Sequence, residues 1–374
     1  MSPAQAPAPA GRAEAVTAAS APGRLCLAGE SLDWMTGGPS VTAAIPLRTR
    51  VTAWRARGSD ALTLSSGAPL YRTRLVPPAR AAAARYAADE LDHMQAAARV
   101  TLHDAARIAG VVLTASTDLP VGAGTSSSAA LTLAAVTALA ALAGTAPGRD
   151  QACELARQAE AGELGTGAGW MDFLACAHGG VNRIQAAERR AERIAPSMPV
   201  PLVLIDTRQR RATATVLASK RDRYRAREPA MLDYVAGTTR IVGALAAELC
   251  SPRPDYRQAG RLITAAHALL RDKARCSTPL IEECASRVLH AGAYGAKLSG
   301  SGHGGCLFAI VPDDVVASVL ASLNGLPVHP VVLPRSDPDG LTCSAAARAP
   351  AATAGTAAPA RPLAGTISPS PEHY

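Results

Sequence analysis

The stretch from Ser126 to Gly144, SSSAALTLAAVTALAALAG, constrains this chain more than any other. It opens on serines, continues in small apolar side chains and closes on a glycine, which is the pattern of a helix with both ends marked. Small side chains let such a helix sit tightly in a core. Before it stands DLPVGAGTSSSAA (118–130), and before that IAGVVLTASTDL (108–119), which alternates like a strand. A strand, a glycine–serine loop and a helix therefore follow one another. The first N–H groups of a helix lack intrahelical acceptors, and its dipole is positive at that end, so such a junction attracts phosphate. Gly122 and Gly124 let the backbone approach a ligand at positive φ. Ser126, Ser127 and Ser128 can cap the helix or bind phosphate oxygens and a metal. The loop lacks the Gly-Lys-Ser/Thr ending of a Walker loop, and position 127 is serine where a dinucleotide fingerprint needs glycine. A serine-capped helix after a tight turn, holding no ligand, fits the same residues.

The rest of the chain reads as mixed strands and helices with no internal repeat, which argues for an α+β fold over strict βαβ alternation. Strands are predicted in 21–30, 37–57 and 201–208, and helices after the prolines at 77–78, in 149–163, in two segments of 229–274 and in 313–323. Residues 286–311 run from helix through a glycine loop into a strand. A chain of 374 residues can build two ordinary domains. The composition changes around AAERRAERIAPSMPVP (186–201), the expected junction between an N-terminal domain (21–190) and a C-terminal one (200–345). The Ala/Pro-rich ends, 1–20 and 346–374, are expected to be disordered tails.

No apolar run approaches the ~20 residues that span a bilayer, and the N-terminal residues lack the charged-then-apolar order of a signal peptide. A cytoplasmic protein, with neither membrane nor nucleic acid as partner, is expected. The net charge is +8, but aromatics are only 3%, too few for base-stacking surfaces. The densest basic stretch, 208–227, reads as a solvated helix face and loop or as attraction for an anionic substrate. Eight scattered cysteines without a CxxC pair read as buried free thiols.

Three further clusters bear on the loop. APGRLCLAGESLDWMTGGPSV (21–41) brings Arg24, Glu30 and Asp33 close to Gly37-Gly38. GELGTGAGWMDFLACAHGGVNRIQ (162–185) sets Asp172 among glycines and apolar residues. KLSGSGHGGCLFAIV (297–311) is a second glycine loop entering an apolar strand. Together these segments resemble the GHMP kinases, the family of galactokinase, homoserine kinase, mevalonate kinase and phosphomevalonate kinase. Pro120 to Ala130 is similar to the family's P-x-x-x-G-L-G-S-S-A-A, with Thr125 for leucine and Ser126 for glycine. Ala21 to Gly38 resembles the galactokinase pattern APGRVNLIGEHTDYNGG, with Ser31 for histidine and Trp34 for tyrosine. Lys297 to Cys306 resembles K-L-T/S-G-x-G-x-G-G-C, GAGWMDFLACAHGG resembles a galactokinase G-x-M-D-Q segment with Phe173 for glutamine, and IDTRQRRATA (205–214) resembles another. The likeness runs in order through residues 20–345.

The resemblance implies a two-domain α+β fold, with an N-terminal domain like domain 2 of ribosomal protein S5, and the active site in the cleft. It implies ATP-dependent phosphoryl transfer, with Mg²⁺, to a small-molecule alcohol, chemistry that relies on positioning and charge neutralisation. By that likeness Pro120, Gly122, Ala123, Gly124, Thr125, Ser126, Ser127 and Ser128 hold ATP, with Gly300 and Gly302 beside them. Ser127, Ser128 and Glu160 attend the metal, which wants carboxylate oxygen; the other reading of Glu160 is a surface glutamate. Asp172 accepts or orients the substrate proton and Arg24 keeps it ionised, a structural salt bridge being the alternative. Glu30, Asp33 and Gly37 match the sugar-binding turn, where paired carboxylates accept from vicinal hydroxyls, unless they serve only turn and cap chemistry. His303 either faces the site or has no role, and His178 is expected to pack near Gly179-Gly180. The expected acceptor is a sugar or cyclitol other than galactose. A mevalonate- or homoserine-type kinase, a diphosphomevalonate decarboxylase-like enzyme and a non-catalytic sugar/ATP sensor remain alternatives.

Overall fold

The computed structural model describes residues 16–68, 70–209 and 213–346. Its first sheet is built from β1 (Val16–Ala28), β2 (Pro39–Arg55), β3 (Leu62–Ser66), β4 (Arg72–Val76), β5 (Val111–Thr117), β6 (Val181–Gln185) and β7 (Arg190–Ala195). The second takes β8 (Leu202–Asp206), β9 (Gly295–Leu298), β10 (Cys306–Ile310) and β11 (His329–Leu333). A last strand, β12 (Thr342–Ala346), returns to the first sheet beside β1. The first sheet runs β12-β1-β2-β5-β3-β4, with β6 also on β2 and β7 on β6; the second runs β11-β8-β10-β9. Among these ladders only β3–β5 is parallel.

β2 organises the first sheet. Its C-terminal half pairs with β5 and its N-terminal half with β6. Opposite Pro22 and Gly23 the register skips from Arg48 to Ile45, a bulge that accommodates Pro46, which has no N–H to give the ladder.

The helices of the first half are α1 (Leu32–Met35), α2 (Pro78–Ala82), α3 (Asp92–Leu102), α4 (Ala105–Ile108), α5 (Ser127–Leu142), α6 (Arg149–Arg157) and α7 (Met171–His178). The alanine-rich run is α5. It lies between β1, β2 and α3, and every residue from Ala129 to Ala140 except Leu131 is buried. The second half holds α8 (Thr213–Arg225), α9 (Pro229–Leu249), α10 (Tyr256–Asp272), α11 (Pro279–His290) and α12 (Val316–Ser322). α10 and α11 cover β9, while α9 and α10 also touch β1, so the second half closes against the first sheet.

Several expectations need correction. Val16–Ser20 are strand, not tail, because β1 pairs with both β2 and β12 and Val16 is buried. Ala346, placed in the C-terminal tail, ends β12. Residues 1–15 and 347–374 lie outside the described residues. The helix over 149–163 changes to a π-helix at Gln158–Glu163, and 313–323 begins as a 3₁₀ turn before α12. The composition change at 186–201 spans the β6–β7 turn, β7 and the crossing to β8. Ser126 precedes α5 but does not cap it through its side chain. It sits at φ 60, ψ 37, in the left-handed region, where the hydroxyl cannot aim at the first-turn N–H groups.

Candidate active site

Two glycine loops meet at the centre of the molecule. A Cβ on Gly124 (φ +83) would stand 2.1 Å from the Ser299 carbonyl, and one on Gly300 (φ +86) 2.6 Å from the Gly124 Cα. Only glycine permits that approach. The contact is sewn by Cys306 N–H donating to Ala123 O (2.8 Å) and Ser299 Oγ to Gly124 O (2.9 Å).

Arg24, buried on β1, ties this junction to the chemistry. Its Nη1 donates to Gly124 O (2.7 Å), and its backbone N–H to Thr125 O (3.1 Å). Its Nε and Nη2 both donate to Oδ1 of Asp172, at 3.0 and 2.7 Å. Burial works against the guanidinium charge, but Asp172 outweighs it and holds the Arg24 pKa above its ordinary value. Asp172 stands in the first turn of α7, partly exposed.

Two cavities flank the pair. The larger, about 450 Å³, opens over the first loop and the start of α5. Gly122, Ser127 and Ser128 line it on one side, and Leu91, Met94 and Leu131 supply an apolar wall. Leu131, the one half-buried residue within Ala129–Ala140, faces this space. The smaller cavity, about 130 Å³, lies between Asp172, Arg24, Asp33 and Trp34. The two share Ser128, Glu160 and Thr166, so they meet there.

Glu160 is buried, which excludes the surface reading. It projects from the π-helical turn, where Leu164 N–H reaches back to Ala159 O; such turns recur at functional sites. Ser128 Oγ donates to Glu160 Oε1 (2.9 Å), while Oε2 is buried without a hydrogen-bond partner. Burial raises its carboxyl pKa, with His93 and Ser128 working against the shift.

Glu30 and Asp33 part company. Both line the smaller cavity. Asp33 is half-buried and takes a long hydrogen bond from Met171 N–H (3.4 Å). Burial, and then the neighbouring Asp172 charge, push its carboxyl pKa up to about 6. A side chain at Gly169 would collide with it, since a Cβ there lies 1.8 Å from Asp33 Oδ2. Glu30 instead pairs through Oε1 with Lys297, which is fully buried and also donates to Cys26 O and Leu298 O, both at 2.8 Å.

The other nominated residues scatter. Gly37 is absent from the lining of the smaller cavity and accepts from Ala187 N–H. Ala123, Thr125 and Ser126, within the first loop, are buried. Pro120 lines an adjacent concavity with Leu119 and Asp206. Gly300 faces the smaller cavity, while Gly302 packs on Cys276. His303 N–H bonds Cys276 O, and His178 Nε2 pairs with Asp150 (2.9 Å). In the basic stretch, Lys220 donates to Ser301 O (2.8 Å) and Arg221 to Gly167 O (3.2 Å), so α8 is fastened across the cleft, not left as a solvated face. Residues 210–212 of that stretch, within the likeness at 205–214, lie outside the described residues. Six of the eight cysteines are buried; Cys250 and Cys343 are exposed.

Known proteins resemble this chain. The family model for the GHMP kinases N terminal domain matches residues 90–180, and that for GHMP kinases C terminal matches 244–326. A galactokinase of Mycobacterium tuberculosis (strain ATCC 25618 / H37Rv) is 30% identical over 335 residues, covering 79% of this chain and 88% of its own. The chain belongs to the GHMP kinase family. A mevalonate kinase of Thermococcus sibiricus is 27% identical over 323 residues, covering 83% of this chain and 94% of its own. The crystal structure of Lactococcus lactis galactokinase complexed with galactose superposes with a TM-score of 0.73 at 19% identity, over 87% of this chain and 95% of that one. Methanococcus jannaschii mevalonate kinase gives 0.72 at 19% identity, over 86% and 98%. The chain thus has the two-domain GHMP kinase fold. As a GHMP kinase it is an ATP-dependent transferase. Among the described residues no helix is long and apolar enough to cross a membrane.

Sequence reasoning gave this GHMP kinase no role for Lys297, and for α8 only the two readings of the basic stretch, a solvated face or attraction for an anionic substrate. A signal for Lys297 existed: a lysine inside a strand that is otherwise apolar needs a buried counter-charge, and Glu30 stands in a similarly apolar context.

Proposed function

We propose that the protein is an ATP-dependent kinase of a hydroxyl-rich small molecule, a sugar or a cyclitol. The observation that carries this is the lining of the smaller cavity, where Asp33 and Asp172 face the space beside Arg24, while Glu30 is held by Lys297 and Glu160 lies where the two cavities meet. Ionised carboxylates only accept hydrogen bonds, so they suit a ligand that donates many. A head group that is itself anionic would be repelled.

In this reading the base lies against Leu91, Met94 and Leu131, and the phosphates follow Gly122 to Ser128 and the open first turn of α5. Asp33 orients the acceptor by one hydroxyl. The hydroxyl that reacts meets Asp172, whose Oδ1 is occupied by Arg24 while Oδ2 takes the proton or aligns it. Arg24 bonds Asp172 and fixes it to the loop that holds the phosphates. Glu30, bound to Lys297, sets the floor of the pocket and does not grip the acceptor.

Mg²⁺ fits the residues where the two cavities meet. The buried, unpartnered Oε2 of Glu160 is a hard oxygen suited to a cation, Ser128 is bonded to the same carboxylate, and Ser127 lines the larger cavity with it. The ion would neutralise phosphate charge there. The Arg24–Asp172 pair and the orphaned Glu160 oxygen favour an enzyme over a sensor. The names of the relatives support both sugar and mevalonate acceptors.

Release of ADP, measured across hexoses, heptoses, cyclitols, aminosugars, mevalonate and homoserine, tests the reading. Turnover with one or more neutral polyols is expected. Turnover confined to mevalonate or homoserine would overturn the polyol assignment. Loss of CO₂ with phosphate would point to the decarboxylase-like alternative.

A further inference from the structure

Beside the acceptor pocket lies a second concavity of about 520 Å³ with the opposite charge. The two share Asp33, Trp34 and the segment Gly167–Gly169. Three arginines reach it from three elements: Arg157 at the end of α6, Arg189 in the β6–β7 turn and Arg221 on α8. Asp33, on the shared wall, is the one carboxylate in its lining.

These arginines are poorly compensated. Arg157 and Arg189 both lie 4.8 Å from the centroid of the Trp170 ring. Two like charges on one indole repel each other unless an anion joins them. Arg189 has Glu154 at 3.4 Å, but both side chains are 60% exposed, so water screens that pair. Arg157 Nε is buried without a hydrogen-bond partner, an orphaned donor that costs stability. Arg221 stacks on Trp34 at 5.1 Å and gives one N–H to Gly167 O. Guanidinium forks held over aromatic rings are pre-organised for a phosphate-like anion, and several converging charges suit a dianion.

We infer that this concavity is an anion subsite of the acceptor. The substrate carries a phosphate-class substituent that Arg157 and Arg189 hold, while its hydroxyl-bearing head lies next door against Asp33 and Asp172. The inference rests on the reading of the smaller cavity as the acceptor pocket and narrows the substrate to a phosphorylated polyol. A separate phosphate-bearing effector would share the chemistry but not the source.

The test uses the full chain saturated with Mg²⁺ and a non-hydrolysable ATP analogue, so that the first glycine loop is filled. Inorganic phosphate is then titrated calorimetrically. Wild type should bind it, more weakly as salt rises. Arg157→Gln combined with Arg189→Gln should weaken binding at least ~10-fold, the loss of about 1.4 kcal/mol or more. Ala187→Glu, a change at an exposed lining residue that leaves all three arginines in place, should weaken binding similarly, and Arg157→Lys should retain part of it. Melting temperatures check that each variant folds. No binding to wild type, or equal affinity in all variants, overturns the subsite. A second arm measures ADP release from sugars and their monophosphates. Higher kcat/KM for the monophosphates, lost in the double variant, supports the acceptor source. Phosphate that alters turnover of neutral sugars, with monophosphates inert, overturns it in favour of an effector. ADP release from no acceptor at all would count against the kinase reading, whatever the phosphate titration gives.

Discussion

The nucleotide cavity and the acceptor pocket are neighbours built on different principles. The first is made mostly of backbone and apolar surface: a glycine loop, the open end of α5, and side chains such as Met94 and Leu131. The second is made of charged side chains drawn from β1, the α1 turn, the π-helical turn and α7, and each charge has a partner or conspicuously lacks one. A site made of backbone tolerates sequence drift so long as its conformation survives. A site made of paired charges changes meaning when one partner moves. The chain shows both behaviours. Ser126 replaces a family glycine yet keeps a glycine-like φ of 60. Glu30 keeps the family residue, yet Lys297 engages its carboxylate.

The sharpest break in the comparison is Lys297→Met. It leaves Glu30 buried without its counter-charge, which should cost about 3–5 kcal/mol in urea unfolding. Adding Glu30→Gln should return part of the loss. A cost near zero would mean that the pair is not shielded from solvent. Next comes Asp172→Asn, which should slow turnover by ~10²-fold or more while nucleotide affinity stays close to wild type. Equal turnover would remove Asp172 from the transfer step.

Asp33→Asn follows, with an effect set by pH. The folded-state pKa of Asp33, about 6, lies above the ordinary carboxyl value, so folding favours its protonated form. Its contribution to stability is full below an unfolded pKa of about 4 and is lost as pH rises through the folded value. The amide should therefore stabilise the protein near neutral pH by about 1–3 kcal/mol, a gain that fades below about pH 4. Thermal melts across that range would show it, and a pH-independent gain would contradict the assignment. Smallest is Ser126→Gly. Relieving a left-handed conformation should add about 1 kcal/mol of stability without moving acceptor KM. No gain would mean that the serine is held there without strain.

The same contrast decides what could be read from the chain. The strand, loop and helix of 108–144 were legible because glycine, serine and small apolar residues each carry a local conformational meaning. The ends were misjudged: Val16–Ser20 look like the Ala/Pro-rich tail, and only pairing with β2 and β12, hundreds of residues away for the latter, makes them strand. In the site, Arg24, Asp172 and Glu160 were nominated by motif, but the bond from Ser128 to Glu160 depends on a π-helical turn that no residue pattern announced. Gly37, expected with the sugar-binding turn, is absent from the lining of the acceptor pocket and lines instead the arginine-rich concavity beside it, its loop packed on Ala187. The arginines around Trp170 are separated in sequence and were invisible as a group.

The most direct test of the account is a crystal structure with Mg²⁺, a non-hydrolysable ATP analogue and an acceptor that turns over. The account predicts one acceptor hydroxyl within hydrogen-bond distance of Asp172 and another on Asp33. It predicts the cation on Glu160 Oε2, and Glu30 still paired with Lys297. An acceptor held by a Glu30 released from Lys297, or one whose hydroxyls stay out of reach of Asp172, would contradict it.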